Sequence, residues 1–290
     1  MANPLKSSPI DFPAAVQWVA FDLDDTLHFY RKASGRASAA VFEYLDEEFG
    51  CGVEPLQAAY AKILKDAQQG AFADGRTARE CRGERFGKLL AAFSIIPHRN
   101  LDEALGIYDT ALAANLELKD GAAALLQDIK RAGRSIMIVT EGPHDAQETT
   151  VSRLGLTPYV DLLVTSSMEG LTKRNGLLKR ALDKAGCAPG AAIYVGDSIE
   201  CDIVPAHALG VCTIFIGDPS QAPEGVEAAA TLADLRALIS QKAEEEYWLS
   251  RPVHERLAEG SRLSLEAYGL EAAPRMQKTL RRIKCKYIEE

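Results

Sequence analysis

From about residue 121 onward the chain alternates short apolar runs with amphipathic helical stretches that stop at glycine, and few folds satisfy that alternation. Helix Gly121 to Ala132 leads to strand Ser135 to Thr140, and helix Ala146 to Leu154 stops at Gly155 before strand Val160 to Thr165. Helix Gly176 to Ala185 stops at Gly186 before strand Ala192 to Asp197. Helix Asp202 to Leu209 stops at Gly210 before strand Val211 to Ile216, and helix Leu232 to Ala243 follows. Runs rich in Val and Ile without polar alternation are buried on both faces, so these strands predict a parallel sheet with helices on each side. An earlier run, Val16 to Asp22, reads as one more such strand and ends abruptly in acids. The expected fold class is α/β, with a Rossmann-like parallel sheet.

Between that first strand and the alternating region, about Ser34 to Glu117, no comparable strand occurs. Ala39, Val41, Phe42, Leu45 and Phe49 recur at helical spacing until Gly50 and Gly52 stop them, and Leu56, Tyr60, Ile63 and Leu64 follow. Arg79 to Phe93 and Leu101 to Leu116, separated by Pro97, are two further helices. The expected organisation is a core formed by 1–29 and 118–243, interrupted by an all-helical insert over 30–117. The segment 244–290 leaves the alternation, contains Tyr247, Trp248, Pro252 and Pro274, and is read as a helical C-terminal extension.

A length of 290 residues with 47% hydrophobic and 26% charged residues suits that organisation, one large core plus an insert, and not a disordered or fibrous chain. The net charge of −8 argues against a sequence-independent nucleic-acid binder. The six cysteines are scattered, with no C-x-x-C pair and no zinc spacing, which suits a reducing compartment. No apolar run approaches the roughly 20 residues that span a bilayer, and Met1 to Pro13 lacks the order of a secretion signal. A cytoplasmic location without membrane contact is the expectation.

Open parallel sheets bind ligands outside the carboxyl ends of their strands. At those ends stand Asp22 and Asp24 from the first strand, Thr140 from the second and Asp197 from the fourth, with Asp202 just beyond. Lys173 lies in the connection after the third. Crowded carboxylates raise one another's pKa unless a cation intervenes, and Mg²⁺, a hard ion that takes oxygen ligands and substrate phosphate, is the natural one. A lysine and a hydroxyl beside it complete a phosphate cradle. Of two carboxyls placed two residues apart on one side of an extended chain, one can act as nucleophile and the other as proton donor and acceptor.

The run Asp22-Leu23-Asp24-Asp25-Thr26 after an apolar strand resembles the first motif of the haloacid dehalogenase-like (HAD) hydrolase superfamily. Thr140, Lys173, and Gly196-Asp197-Ser198 with Asp202 are similar to its second, third and fourth motifs, in order, over about Val16 to Ile216. The resemblance implies that Asp22 is the nucleophile and Asp24 the general acid/base. It implies that Asp22, Asp197 and the Asp24 backbone carbonyl hold Mg²⁺, that Thr140 and Lys173 bind the phosphoryl oxygens, and that Asp202 supports the metal or Lys173. The insert resembles the superfamily's C1 cap. Asp24 points to the phosphatase branch, since the dehalogenase branch does not carry an Asp at this second position.

The chain departs from the pattern in two places. Many members have Pro after the third-motif lysine, whereas Lys173 is followed by Arg174, Asn175 and Gly176; Lys179 and Lys184 are alternatives but lie inside the helical pattern. Many have Asn after the second-motif residue, where this chain has Glu141, which would project acidity into the phosphate-binding pocket.

The expected function is Mg²⁺-dependent hydrolysis of a small phosphate monoester through an aspartyl-phosphate. Sugar phosphates, phosphoglycolate-type acids and nucleoside monophosphates all fit. The alternatives are a phosphomutase or phosphotransferase using the same intermediate, and a scaffold acting through the tail. Arg76, Arg79, Arg82 and Arg85 recur every third residue, and three residues turn only about 300° on a helix, so they form a slanting stripe. It reads as a solvated face, or as the source of an arginine that enters the site, with Arg76 and Arg79 as expected substrate contacts. His28, just after the first motif, is another. The basic run Arg275, Lys278, Arg281, Arg282, Lys284 and Lys286 suits a solvated helix face or a homo-oligomer surface, with a nucleic-acid or protein partner as the less favoured alternative.

Overall fold

Each strand-like run of the sequence joins a single sheet. The computed structural model describes residues 10–67 and 73–267. The strands are β1 (Trp18–Phe21), β2 (Ser135–Thr140), β3 (Leu162–Thr165), β4 (Ala192–Gly196), β5 (Cys212–Ile216) and β6 (Glu227–Ala229). All pairings are parallel, in the order β3-β2-β1-β4-β5-β6. β1 lies between β2 and β4, with Phe21 level with Ile138 on one side and Val195 on the other. The chain winds outward from β1 to β3 and then crosses back to β4, so β1 and β4 flank the point where strand order reverses. That is where open α/β sheets leave a crevice.

Alternate residues of each strand serve opposite faces. Val19, Phe21, Ile136, Ile138, Ile193 and Val195 pack against Leu125, Leu126 and Ile129 of α5 (Ala122–Arg131) and Leu232, Leu235 and Ile239 of α10 (Leu232–Ser250). Ala20, Met137, Val139 and Tyr194 pack against Leu177, Leu178 and Ala181 of α8 (Leu177–Ala185) and Ala206 of α9 (Val204–Ala208). Two further helices, α6 (His144–Arg153) and α7 (Ser166–Glu169), follow β2 and β3. β6 had no sequence signal: Glu-Ala-Ala carries no β-branched or aromatic residue, and pairing with β5 alone makes it a strand.

The insert between β1 and α5 contains four helices among the described residues: α1 (Tyr30–Phe49), α2 (Val53–Ala67), α3 (Ala78–Ala92) and α4 (Pro97–Asn115). It has a core of its own, in which Val41, Leu45, Leu56, Leu89 and Leu90 are fully buried. Tyr60 stacks on Phe86 with ring centroids 5.2 Å apart, and Phe86 meets Tyr108 edge-on at 5.4 Å. α1 ends where Gly50, at φ 65°, turns left-handed and returns its N–H to Asp46 O, a conformation that glycine adopts without steric cost.

Two crossings join the insert to the sheet, and they pair with each other. Phe29 N donates to Glu117 O at 3.0 Å and Lys119 N to Leu27 O at 2.9 Å, with His28 bridged to Leu118 between them. A second contact lies at the start of α3, where Ala78 N donates to the Asp145 carboxylate of α6 at 3.0 and 3.2 Å. Thr77 and Glu80 close a reciprocal capping box at the same terminus.

The chain divides into two compact units, residues 1–243 and 244–290. α10 runs to Ser250, beyond the Ala243 expected from the sequence, because Glu244 to Ser250 contain no helix breaker. In the second unit α11 spans Val253–Ala267, and the Arg251 guanidinium lies 4.4 Å from the Tyr247 ring centroid. The basic run from Arg275 to Lys286 lies outside the described residues. Among the described residues no helix is long and apolar enough to cross a membrane.

The capping box makes a local prediction. Thr77→Ala removes the acceptor for the Glu80 N–H and is expected to lower stability by about 1 kcal/mol in urea denaturation, with Thr77→Ser close to wild type.

Candidate active site

β1 ends one residue before Asp22, whose backbone N–H is still held by Val195 O of β4 at 2.9 Å. The sheet therefore fixes the Asp22 backbone at the crevice, with the side chain almost completely buried at 3% exposure. The Lys173 ammonium pairs with Asp22 Oδ1 and, at 2.7 Å, with Asp202 Oδ1. The Thr26 hydroxyl lies 3.0 Å from Asp22 Oδ2 and 3.3 Å from Asp197 Oδ1. Thr26 belongs to the first motif, and its place between two carboxylates becomes visible only in the fold.

Lys173 opens a short 3₁₀ turn, Lys173–Asn175, ahead of α8. The competing lysines are engaged elsewhere: Lys179 with Asp183 at 2.8 Å, and Lys184 with Glu169. Glu141, expected to bring acidity to the phosphate pocket, turns its carboxylate to the Lys173 backbone N–H at 2.7 Å. The structure thus places Glu141 against the lysine backbone, where it holds Lys173 in position. Thr140, at the tip of β2, is buried with its hydroxyl unpartnered among the described residues. A buried hydroxyl without a partner is costly, and a ligand oxygen would satisfy it.

Asp202 is held on every side. Tyr194 OH donates to its Oδ1 at 2.8 Å, and Ser198 N donates to its Oδ2 at 2.9 Å. Tyr194 was legible in principle, since a phenol in an aliphatic strand needs a hydrogen-bond partner. The residues of the fourth motif before α9 form a single π-type turn, Ile199–Ile203, in place of the regular start expected for that helix. Gly196 makes the arrangement possible, because a Cβ there would fall 2.4 Å from Asp202 Cγ.

Asp24 faces the other way. His28 Nε2 lies 2.9 Å from its Oδ1, and Gln147 Nε2 donates to its Oδ2 at 3.2 Å. His28, an expected substrate contact, has no exposed surface and rests its imidazole on Asp24. Gln147 had no sequence signal. Asp25 turns the chain here in a left-handed conformation at φ 59°, its carboxylate accepting from Arg31 N at 3.1 Å.

Burial pushes the Asp22 carboxyl well above its ordinary range; Lys173 opposes this, and the Asp202 and Asp24 charges add to it. Burial, and then Asp202, raise Asp197 as well. For Lys173 burial acts downward, but the Asp22 and Asp202 charges outweigh it, so the ammonium stays charged. Asp22, Asp197 and Asp202 each offer an oxygen within 4.8 Å of the others, a spacing that octahedral coordination of a hard cation can use. Asp24 takes no part in this group through its side chain.

Of the expected substrate contacts on the arginine stripe, Arg76 pairs with Asp74 at 2.6 Å and Glu84 at 2.5 Å, and Arg79 with Asp102 at 2.6 Å, all of them carboxylates of the insert. Local spacing could not reveal Asp102, because α4 brings it to Arg79.

Gly196→Ala forces the buried Asp202 carboxyl out of place. The variant is expected to lose about 2 kcal/mol by thermal or chemical denaturation, with Lys173 losing one of its two counter-charges.

Residues 16–210 match the family model of haloacid dehalogenase-like hydrolases. A ribulose-1,5-bisphosphate 5-phosphatase of Halopiger xanaduensis is 30% identical over 222 residues, covering 75% of this chain and 91% of that protein. The pyrimidine 5'-nucleotidase YjjG of Escherichia coli is 29% identical over 76% of this chain and 95% of its own. A glyceraldehyde 3-phosphate phosphatase of Methanocaldococcus jannaschii is 26% identical over 69% and 85%. Among solved structures, the putative HAD-hydrolase YfnB of Bacillus subtilis superposes with a TM-score of 0.62 at 21% identity, covering 77% of this chain and 98% of that one. A haloacid dehalogenase of Pseudomonas syringae gives 0.60 at 21% identity, with 79% and 100% covered, and both of these likenesses speak to the fold. With the family match running from the first strand through the fourth motif, the chain belongs to the haloacid dehalogenase-like hydrolases.

Proposed function

We propose that this hydrolase is a Mg²⁺-dependent phosphatase that cleaves a small phosphate monoester through an aspartyl-phosphate. The observation that carries the reading is the pairing of two unlike carboxyls two residues apart. Asp22 is buried against a lysine, and Asp24 is held by His28 and Gln147. The three relatives named above, a ribulose-1,5-bisphosphate 5-phosphatase, a pyrimidine 5'-nucleotidase and a glyceraldehyde 3-phosphate phosphatase, support the same class.

In this mechanism an Asp22 oxygen attacks phosphorus and the ester P–O bond breaks, the leaving oxygen taking the proton of Asp24. Asp24, now a carboxylate, takes a proton from water, whose oxygen attacks the aspartyl-phosphate. Phosphate leaves, Asp22 is again a carboxylate and Asp24 is again protonated. Lys173 offsets charge on the phosphoryl oxygens, and the unpartnered Thr140 hydroxyl donates to one of them. Hydrogen bonds from His28 and Gln147 keep the Asp24 carboxyl aimed at the leaving oxygen. Asp22 and Asp197, with the Asp24 backbone carbonyl, would hold Mg²⁺, and Asp202 would stand behind them through Lys173. When bound, the ion supplies positive charge to the phosphoryl oxygens and to the crowded carboxylates. The helical insert acts as a C1 cap that shields the site from water and limits substrates to small esters. A cytoplasmic setting suits such a substrate.

The purified protein is expected to release phosphate from members of a phosphometabolite panel with Mg²⁺, and to stop on addition of EDTA. Asp22→Asn should lower kcat by about a thousandfold or more, and Asp24→Asn by about a hundredfold or more. Phosphate release that survives Asp22→Asn, or none from any ester with Mg²⁺ present, overturns the proposal.

A further inference from the structure

Five buried side-chain polar atoms have no hydrogen-bond partner among the described residues, and three belong to the reaction centre: the Thr140 hydroxyl, His28 Nδ1 and Gln147 Oε1. The last two share a pattern. Each side chain leaves one polar atom unpaired and turns the other to the Asp24 carboxyl, His28 Nε2 to Oδ1 at 2.9 Å and Gln147 Nε2 to Oδ2 at 3.2 Å. Both are enclosed, His28 at 0% and Gln147 at 5% exposure. A fold selected for stability alone would pair both ends of such groups. A proton on His28 Nδ1 alone would be a buried donor without an acceptor, a rarer state than a bare acceptor, so the Nε2 proton is directed at Asp24. The Gln147 nitrogen also donates to Glu141 O at 3.3 Å, and two acceptors around one atom fix it as the nitrogen end of the amide.

The two donors reach Asp24 from separate elements. His28 lies in the first of the paired crossings of the insert, and Gln147 in the first turn of α6. The start of α6 is anchored in turn by α7, where Gly142 N donates to Ser166 Oγ at 2.9 Å and His144 N to Ser167 Oγ at 2.8 Å. Gly142, at φ 145°, leaves the space that the amide takes, since a Cβ there would fall 2.7 Å from Gln147 Nε2. A carboxyl held by one hydrogen bond can swing about it, whereas two, on different oxygens and from different elements, hold its plane. That aim matters in proportion to the leaving oxygen's need for a proton. An aliphatic alkoxide leaves poorly unless it is protonated as the P–O bond breaks, while p-nitrophenolate leaves as a stable anion.

We propose that His28 and Gln147 are positioning residues that fit this site to phosphate esters of aliphatic alcohols, by holding Asp24 where the leaving oxygen takes its proton. The inference rests on the phosphatase reading and adds to it the class of leaving group. The proton passes from Asp24 to the ester oxygen as its bond to phosphorus breaks, and Asp22 keeps the phosphoryl group. The test compares kcat/KM for an alkyl phosphate and for p-nitrophenyl phosphate, both with Mg²⁺, a ratio that reports the steps up to phosphoryl transfer. In Gln147→Leu and Gln147→Met, which remove the donor at similar volume, the alkyl value is expected to fall about tenfold or more further than the aryl value, the scale of one hydrogen bond to a charged group. Asp24→Asn is expected to show the same selectivity. Adding Gln147→Leu to Asp24→Asn should lower either value by no more than about twofold, because a residue that acts through Asp24 has nothing left to position. A loosened fold would instead lower both esters together and add to the Asp24→Asn loss. Equal loss on the two esters, full additivity, or a wild type that cleaves only the aryl ester overturns the inference and leaves the phosphatase reading standing. A wild type that cleaves no ester overturns both.

Discussion

Lys173 lies between two buried carboxylates that come from different strand tips, Asp22 beyond β1 and Asp202 beyond β4. An isolated charge buried this deeply is costly, so each of the three groups depends on its partners. The triad is self-consistent only when all three members are present in one geometry. Much of the surrounding structure serves that geometry: Glu141 fixes the lysine backbone, Tyr194 and the Ser198 N–H fix Asp202, and Gly196 leaves the volume Asp202 fills. The parallel sheet supplies the frame, since the Asp22 backbone is still hydrogen-bonded to β4 where its side chain enters the site.

Around this centre the surroundings of the two first-motif acids differ. Asp22 meets the lysine and Thr26, whereas Asp24 meets an imidazole and an amide. Two carboxyls of one dipeptide step thus meet different electrostatic surroundings because the extended chain leaves the strand and then reverses at Asp25.

Much of this was legible in the sequence. Val- and Ile-rich runs announce buried parallel strands, and the acids, Thr140 and Lys173 fall at their ends because open sheets concentrate polar groups there. Lys173 could be preferred to Lys179 and Lys184 since it precedes the helical pattern, and the structure brings it alone to the acids. What the sequence concealed depends on long-range contacts. β6 is a strand only through its neighbour, and Gln147 reaches Asp24 from a helix far along the chain. Among four equally spaced arginines, local periodicity is the same for all. Only partners as distant as Asp102 and Asp109 decide where Arg79 and Arg82 turn.

His28 belongs to two structures at once. It is a bridge residue in the paired crossings that join insert to sheet, and it is the imidazole on which the Asp24 carboxyl rests. A rotation of the insert about those crossings must either carry that imidazole with it or break its hydrogen bond. The orientation of the Asp24 carboxyl and the seat of the helical insert therefore share one fully enclosed side chain.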